Sequence, residues 1–488
     1  PAVDYLEKAA ARALRDSANE DAIKLLMEAR ELAAQLPEAL RPNLRLARWE
    51  RQLGEAYQGI GNLAASRAHL LAALDRLERP LPLAGRKLAN QLTKEAARQF
   101  VHRVRTRPPG EEQALQREIA DALYAIGYVL YYEGKYEPLL CSTVAAVNLY
   151  EGLPPTPALA LTYVNIAATF ALIPVRWGVN KYFGLAAATL AQVPDAAAES
   201  HYELLRSSYA LGLGDYEGAG RAAERAAALA ESAGYRKRWE EAIGVRSGIA
   251  LTRGDFVETD RWCEAYLSSA LARKDAQIAT IGYLNRAQRR VWRQELEPAE
   301  HELALAEAGI ATAGKLEQIW ARALRSSIAL ARGQSDAAEA LAKEAADLLQ
   351  ATQPSHVFGL DAYARIAEVR LALLGSAATP AARKTRKAAA KASLRMLAVA
   401  TKKFPIAQPS QLCHLGTSQW LDHEPRKAAA TWRTGRTVAQ HLQMPQWELR
   451  LLDALADAGA ASSEEMRDRD LLRARLGLPA VRLPGAAN

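Results

Sequence analysis

A tight turn, usually containing glycine, separates two helical patterns again and again along this chain, at intervals of about forty residues. It is clearest in 211–230, LGLGDYEGAGRAAERAAALA, where Gly214-Asp215 ends one helix and starts the next. The second helix carries small residues at three- and four-residue spacing, a smooth stripe that lets a neighbouring helix approach closely. Aligned on the turn, the repeat positions are Ser17, Gly61, Gly134, Gly214, Gly254, Gln294, Gly333, Gly375 and His423. This period, with two helices per unit, predicts an all-α fold: an alpha-alpha superhelix of about ten helix-turn-helix repeats, wound right-handed.

Two intervals in this alignment are about twice as long as the others, from Gly61 to Gly134 and from Gly134 to Gly214. We therefore expect one degenerate repeat inside each interval. The expected turns of these repeats lie near Arg98–Arg107 and near Pro174-Val175.

Breaks in composition divide the chain into three expected parts. Pro108-Pro109-Gly110 is the strongest internal break, and the small residues of 375–383 are typical of a linker. We expect N-terminal helical repeats in 1–110, central repeats in 111–378, and a basic helix followed by the last repeats in 379–488.

Composition excludes several classes of protein. Half of the 488 residues are apolar, which excludes a disordered chain. The three cysteines, Cys141, Cys263 and Cys413, are odd in number and far apart, so a disulfide framework is excluded and a cytoplasmic location is expected. The chain opens with an amphipathic helical pattern and shows no basic-then-apolar leader.

The most apolar stretch is 158–175, ALALTYVNIAATFALIPV. It carries Thr162, Asn165 and Thr169 and is interrupted by Pro174, so a buried helix is favoured over a membrane span.

No motif for catalysis is found in the sequence. The chain has no phosphate-binding GxxxxGK[ST] loop, and no HExxH, CxxC or GxSxG string. The nearest approach to a metal cluster is Cys413-His414 with His423, which is too sparse for a zinc site. We expect no catalytic residue, no metal and no cofactor.

One polar stripe is a candidate binding groove. Asn285, Arg289 and Arg293 recur at every fourth residue of a predicted helix, with Trp292 alongside, and Asn165 has the same position relative to its own turn. Stacked repeats could line a groove for an acidic peptide or another acidic ligand with such residues. The alternative interpretation is an ordinary solvent-facing helix surface.

A second candidate is the segment 370–421, which has no Asp or Glu and nine Lys or Arg residues. Its basic surface is expected to consist of Arg383, Lys384, Arg386, Lys387 and Lys391. Three interpretations stay open: a solvated or internally paired helix, a docking surface for an acidic protein, and a nucleic-acid site. The last is the least favoured, because no aromatic residue for base stacking lies among these cations.

The clearest repeat, in 44–77, is similar to the tetratricopeptide pattern through Trp49, Leu53, Gly54, Tyr57, Gly61, Ser66, Leu70 and Ala73. Residues 2–36, AVDYLEKAAARALRDSANEDAIKLLMEARELAAQL, resemble the segment that follows the ATPase module in large bacterial signalling proteins. In those proteins a class III adenylate/guanylate cyclase or a LuxR-type DNA-binding domain is joined to an AAA/STAND ATPase and a tetratricopeptide-like tail. Stretches 49–74 and 236–256 are also similar to that tail.

This resemblance covers essentially the whole chain and implies a regulatory role. The catalytic residues of such proteins lie in the cyclase and ATPase modules, so none is transferred to this chain. We expect a non-catalytic protein-interaction region, the sensor arm of a multidomain ATPase–cyclase protein, with a protein or acidic peptide as partner. The alternatives are a freestanding scaffold that assembles a protein complex and, less favoured, an α-solenoid that binds nucleic acid.

Overall fold

The computed structural model describes residues 2–16, 18–37, 42–102, 113–172, 176–310, 314–351 and 357–485. Within these ranges the chain forms 23 α-helices, two short 3-10 helices (Val357–Gly359 and Pro405–Ala407) and no strand. In chain order the helices are α1 (Ala2–Arg15), α2 (Asn19–Ala34), α3 (Asn43–Gly59), α4 (Leu63–Arg76), α5 (Gly85–His102), α6 (Gln113–Tyr132), α7 (Tyr136–Tyr150), α8 (Pro157–Leu172), α9 (Arg176–Gln192), α10 (Ala196–Leu213), α11 (Tyr216–Ser232), α12 (Arg236–Thr252), α13 (Phe256–Ala272), α14 (Ala276–Trp292), α15 (Leu296–Ile310), α16 (Lys315–Ala331), α17 (Ser335–Ala351), α18 (Leu360–Gly375), α19 (Pro380–Lys403), α20 (Gln408–Leu421), α21 (Pro425–His441), α22 (Pro445–Asp457) and α23 (Ser463–Leu476).

The helices pack in consecutive pairs: α1 with α2, α3 with α4, and then every pair from α6 with α7 to α22 with α23. The first helices of successive pairs also contact one another, from α8 through α10, α12, α14, α16, α18 and α20 to α22. These first helices therefore form a continuous row along the inner side of the superhelix. The all-α solenoid predicted from the repeat is confirmed.

The turn alignment is confirmed by backbone conformation. Seven of the nine aligned positions adopt a left-handed φ between 57° and 85°, namely Gly61, Gly134, Gly214, Gly254, Gln294, Gly333 and His423. Gln294 and His423 share this conformation with the glycines, although side chains adopt it only at some cost. Gly375 is the last residue of α18 and Ser17 lies outside the described residues.

The small-residue stripe of α11 packs as its spacing predicts. All six alanines of the stripe are buried: Ala219, Ala222, Ala223, Ala226, Ala227 and Ala230. Asp215 fixes the start of the helix, because its side chain accepts a hydrogen bond from the Gly218 N–H at 2.8 Å. Helices α3 and α4, the tetratricopeptide-like pair, also pack closely at Gly54, where a Cβ atom would lie only 2.6 Å from Leu70 Cγ.

The two expected degenerate repeats differ from each other. Helices α8 and α9 form a pair around the expected turn near Pro174-Val175, although residues 173–175 lie outside the described residues. Helix α5 ends at His102 and packs on α7, and residues 103–112 lie outside the described residues. The predicted linker 375–383 is shorter in the structure, because Thr379 caps α19 and Pro380 begins it. The division into three parts stays a prediction.

Successive turns of the superhelix touch one another. The Tyr128 hydroxyl donates a hydrogen bond to Gln277 Oε1 at 3.2 Å, across 149 residues of sequence. The Gln446 Nε2 donates to the Leu251 carbonyl oxygen at 3.1 Å, across 195 residues. Helix α6 therefore contacts α14, and α22 contacts α12, although several repeats separate the members of each pair in the chain.

Two further predictions can be compared with the described residues. Helix α8 occupies the apolar stretch, and within the described ranges no helix is both long and apolar enough to cross a membrane. Cys141, Cys263 and Cys413 are all buried and free.

Candidate functional site

Four tyrosines of α6 form the most distinctive part of the inner surface. Tyr124, Tyr128 and Tyr132 follow one another at four-residue spacing and so lie on one helix face, with Tyr131 beside them. The ring centroids of Tyr128 and Tyr132 are 4.7 Å apart, and those of Tyr131 and Tyr132 are 5.2 Å apart. All four side chains are half-buried.

Helix α12 faces these rings and supplies charge. Arg238 forms an ion pair with Glu241 at 2.7 Å. Burial alone would lower the pKa of Arg238, but Glu241 and the neighbouring tyrosines together raise it. The Lys237 ammonium lies 5.2 Å from the centre of the Tyr128 ring and 3.3 Å from the Asp275 carboxylate. We call the four tyrosines together with Arg238 and Glu241 the tyrosine site.

The tyrosine hydroxyls of this site and a neighbouring histidine are uncharged at neutral pH. Burial raises the pKa of Tyr124 to about 12 and the pKa values of Tyr128, Tyr131 and Tyr132 well above their ordinary range. It also lowers the pKa of the neighbouring His201 well below its ordinary value. At neutral pH the site therefore presents phenol hydroxyls and a neutral imidazole.

Several polar atoms beside the tyrosine site have no partner in the described part of the chain. His201 Nε2 lies 2.8 Å from Asn165 Oδ1, but its Nδ1 makes no hydrogen bond. The same is true of Arg238 Nε and Gln277 Nε2. Since buried polar groups are normally hydrogen-bonded, each of these atoms is an exception to the usual pairing.

A buried carboxyl group lies at the edge of the tyrosine site. Glu317, in the first turn of α16, is 3% exposed, and its Oε2 has no hydrogen-bond partner among the described residues. Burial raises the pKa of Glu317 to about 7 although the backbone N–H groups of Gly314 and Glu317 oppose the shift. Helix α16 begins directly against α6, since a Cβ on Gly314 would lie 2.3 Å from the Tyr132 carbonyl oxygen.

The structure separates the residues of the predicted polar stripe. Asn165 lies beside the tyrosine site, whereas Asn285 donates to the Tyr266 hydroxyl at 2.7 Å on α13. Arg289 is buried and pairs with Asp260, also on α13, at 2.6 Å. Residues of α13 thus already pair with Asn285 and Arg289, the groups that a ligand would contact. The predicted groove stays a prediction.

The remaining two stripe residues have separate surroundings. Arg293 keeps 39% of its side chain exposed and pairs with Glu295 at 2.8 Å. Trp292 is buried and stacks edge-on against Trp447 of α22, with ring centroids 5.3 Å apart.

Trp292, at the end of α14, borders a second region, formed by α18, α20 and α22, that we call the C-terminal groove. The Arg450 guanidinium lies 4.6 Å from the centre of the Trp292 ring and forms an ion pair with Glu368. Burial would raise the pKa of Glu368, but Arg450 and Arg365 outweigh burial and lower it to about 2. This carboxyl group is therefore ionised at neutral pH, unlike a buried one without a cation.

A cavity of about 140 Å³ lies in the C-terminal groove. Its wall includes Glu368, Arg450, Cys413 and His414. Burial lowers the pKa of His414 to about 4, and its Nε2 has no hydrogen-bond partner in the described chain. The described residues hold no group of three or more His, Cys, Asp or Glu side chains suited to a metal ion.

Helix α19 carries the predicted basic surface, and much of its charge is used within the chain. Arg383 donates a hydrogen bond to the Leu421 carbonyl oxygen at 2.6 Å. Arg386 forms an ion pair with Glu339 at 2.9 Å, and Lys387 forms one with Asp422 at 2.5 Å. Lys384 and Lys391 are exposed. Whether this surface has a binding role stays a prediction.

Comparison with a solved structure shows the same fold. A Rap protein, solved in complex with Competence and Sporulation Factor, aligns with a TM-score of 0.50 and 12% identity over 74% of this chain and 97% of its own. The Cut9–Hcn1 hetero-tetramer of APC/C aligns with a TM-score of 0.39 and 12% identity over 97% of this chain and 90% of the matched chain. The fold is a tetratricopeptide-like α-solenoid. No family model and no curated protein matches the sequence.

Proposed function

We propose that this α-solenoid is a non-catalytic interaction region that binds a protein partner, as an extended peptide segment, at the tyrosine site. One observation carries the proposal: half-buried, uncharged phenols and an arginine face one another on the inner surface. Tyrosine and arginine are the residues that most often dominate binding energy at protein interfaces.

The charges of the site favour a peptide held by hydrogen bonds over a strongly acidic one. Arg238 is already neutralised by Glu241, and Lys237 by Asp275. A binding partner would therefore contact a surface with little net charge, on which tyrosines give large contact area at low cost in conformational entropy.

The proposal is tested with a partner identified by co-purification and then measured quantitatively. The affinity of the purified partner is compared between the native chain and the variants Arg238→Ala and Tyr128→Ala. We expect each variant to weaken binding at least tenfold, because both residues face the proposed peptide. Arg261→Ala is the control, since Arg261 is exposed on α13, away from the site. Equal affinities in all four proteins would contradict the proposal.

The resemblance noted in the sequence supports a finer proposal, that this region is the cytoplasmic sensor arm of an ATPase–cyclase protein. The three free cysteines agree with a reducing compartment. The full reading frame of the gene would show whether such modules are present. We expect the purified chain neither to hydrolyse ATP nor to form a cyclic nucleotide. Turnover that persists through purification would contradict this.

A further inference from the structure

Residues 478–485, LPAVRLPG, follow the last helix and cross the C-terminal groove without forming a helix. Pro484 reaches the end of α18, where a Cβ on Gly375 would lie 2.9 Å from Pro484 Cβ. The next residue, Gly485, lies beside Leu421 at the end of α20. The segment therefore spans the groove from α22 to α18 and α20.

Two carboxylates of α22 hold the backbone of this segment. Asp457 Oδ2 accepts a hydrogen bond from the Leu483 N–H at 2.7 Å, and the Asp453 carboxyl group lies beside the Val481 N–H. Residues four apart on a helix are separated by about 6 Å along its axis, and residues two apart in an extended chain by about 6.6 Å. The two acceptors are thus spaced to match alternate N–H groups of an extended peptide.

The side chains of the segment alternate in a way typical of a bound peptide. From Ala480 to Leu483, exposed residues alternate with more buried ones: Ala480 and Arg482 are exposed, whereas Val481 is half-buried and Leu483 is 6% exposed. Backbone hydrogen bonds with pockets for alternate side chains are the general means by which extended peptides are recognised.

The segment does not fill the groove completely. The cavity of about 140 Å³ is enclosed partly by Val481 and Leu483 and partly by helix residues, including buried His414. The unpaired Nε2 of His414 belongs to this wall, so the groove retains one hydrogen-bonding group that the segment does not satisfy. A different peptide could reach it.

We propose that the C-terminal groove is a second peptide-binding site, which the 478–485 segment occupies as an intramolecular substitute for the partner. The partner is an extended segment of another protein with apolar residues at alternate positions followed by proline, like Val481, Leu483 and Pro484 in this chain. A tethered segment has an effective concentration in the millimolar range, so it sets a threshold that the partner must exceed. This site is separate from the tyrosine site, and either proposal can fail alone.

The experiment compares the full chain with a variant truncated after Gly477. A fluorescent peptide of sequence LPAVRLPG is titrated with each protein and its anisotropy is recorded. We expect the truncated variant to bind the peptide at least tenfold more tightly than the full chain. A peptide carrying Leu483→Asp, and one N-methylated at Leu483 to remove the N–H donor, should bind at least tenfold more weakly than the native peptide.

A variant of the groove supplies the matched test on the protein side. Asp457→Ala in the truncated variant should weaken peptide binding at least fivefold, because one backbone acceptor is lost. Asp470→Ala on α23 is the control, since Asp470 is exposed and pairs only locally with Arg469. Its affinity should stay within twofold.

If the truncated variant fails to fold, the full chain carrying Leu483→Asp opens the groove without deletion and is titrated in its place. A variant with native helical circular dichroism that binds no peptide, or binds the native and Leu483→Asp peptides equally, would overturn the proposal. Unfolding of both variants would show that the segment is a structural cap and would overturn it too.

Discussion

One glutamate on a first helix lies at the edge of the tyrosine site and another lies in the C-terminal groove, and their pKa values shift in opposite directions. Burial raises the pKa of Glu317, on α16, to about 7. Glu368, on the next first helix, α18, is half-buried; burial alone would raise its pKa, but Arg450 and Arg365 lower it to about 2. The same residue type in the same row of helices is thus partly protonated at neutral pH in one region and ionised in the other.

This difference shows how the two regions are stabilised. In the C-terminal groove the charge of Glu368 is paired with Arg450 and a segment of the chain covers the groove, although His414 Nε2 has no hydrogen-bond partner in the described chain. The tyrosine site is incompletely matched, with Glu317 Oε2, His201 Nδ1 and Gln277 Nε2 unpaired in the described chain. Unmatched polar groups cost stability, so they are expected where a partner completes the contacts.

The largest predicted effect is on the C-terminal groove. Arg450→Met leaves Glu368 without its main cation, and removing one partner of a buried ion pair usually costs about 3–5 kcal/mol. We expect a loss at the lower end of this range, about 3 kcal/mol, because a quarter of the Glu368 side chain is accessible to solvent. The free energy of unfolding is measured with urea at pH 7. The double variant Glu368→Leu/Arg450→Met should recover most of the loss, and a single-variant loss under about 1 kcal/mol would contradict the comparison.

The same pair predicts an acid dependence. The folded pKa of Glu368 is below its ordinary value, so the ion pair stabilises the fold above about pH 5 and this contribution is lost as the pH falls towards about 2. The native chain should lose about 3 kcal/mol over this window from Glu368 alone. Because other carboxylates also titrate there, the measurement is the difference between the native chain and the Glu368→Leu/Arg450→Met variant.

A smaller effect with the opposite sign is predicted for the tyrosine site. The folded pKa of Glu317 is above its ordinary value, so stability falls as the pH rises from about 4.5 to about 7. Glu317→Gln removes this penalty, and we expect a gain of about 1–2 kcal/mol at pH 8 and little change at pH 5. Glu307→Gln, at an exposed position of α15, is the control. Destabilisation by Glu317→Gln at pH 8 would show that the charged form is favoured.

Local features of both regions could be predicted from the sequence, whereas their long-range contacts could not. The turn at Gly214 and the alanine stripe of α11 depend on neighbouring residues, and the structure confirms them. The polar stripe that contains Asn285 and Arg289 could also be recognised in the sequence. The sequence did not indicate that Tyr266 and Asp260 of α13 would pair with these two residues. Facing helices depend on how each pair is rotated relative to the next, which periodicity does not specify.

The tyrosine site illustrates the limit more sharply. The spacing of Tyr124, Tyr128 and Tyr132 on one helix face was present in the sequence and could have been recognised. The sequence did not show that Arg238 would face these tyrosines, because about a hundred residues separate them along the chain. The pitch of the superhelix brings them together. Small rotations accumulate over repeats, so such contacts follow from the assembled solenoid.

Helix α12 joins the two regions and supplies the smallest predicted effect. It carries Arg238 near its start, and near its end Leu251 accepts a hydrogen bond from Gln446 of α22. A Cβ on Gly248 would lie 2.0 Å from Phe358 Cε1, so alanine there forces the ring to move, whereas nothing lies within 4 Å of a Cβ on Gly244. These two glycines, one turn apart, form a matched pair that reports on the contact between superhelical turns.

We expect Gly244→Ala to stabilise the chain by about 0.5–1 kcal/mol, because alanine favours the helix and meets no obstacle. Gly248→Ala gains the same helix propensity but must displace Phe358, at a cost of about 1–3 kcal/mol, so a net loss of about 1 kcal/mol is expected. Urea unfolding of both variants measures the difference. Equal stabilisation by both substitutions would mean that α12 and the Phe358 segment do not press together, and that the tyrosine site and the C-terminal groove are less tightly joined than this contact requires.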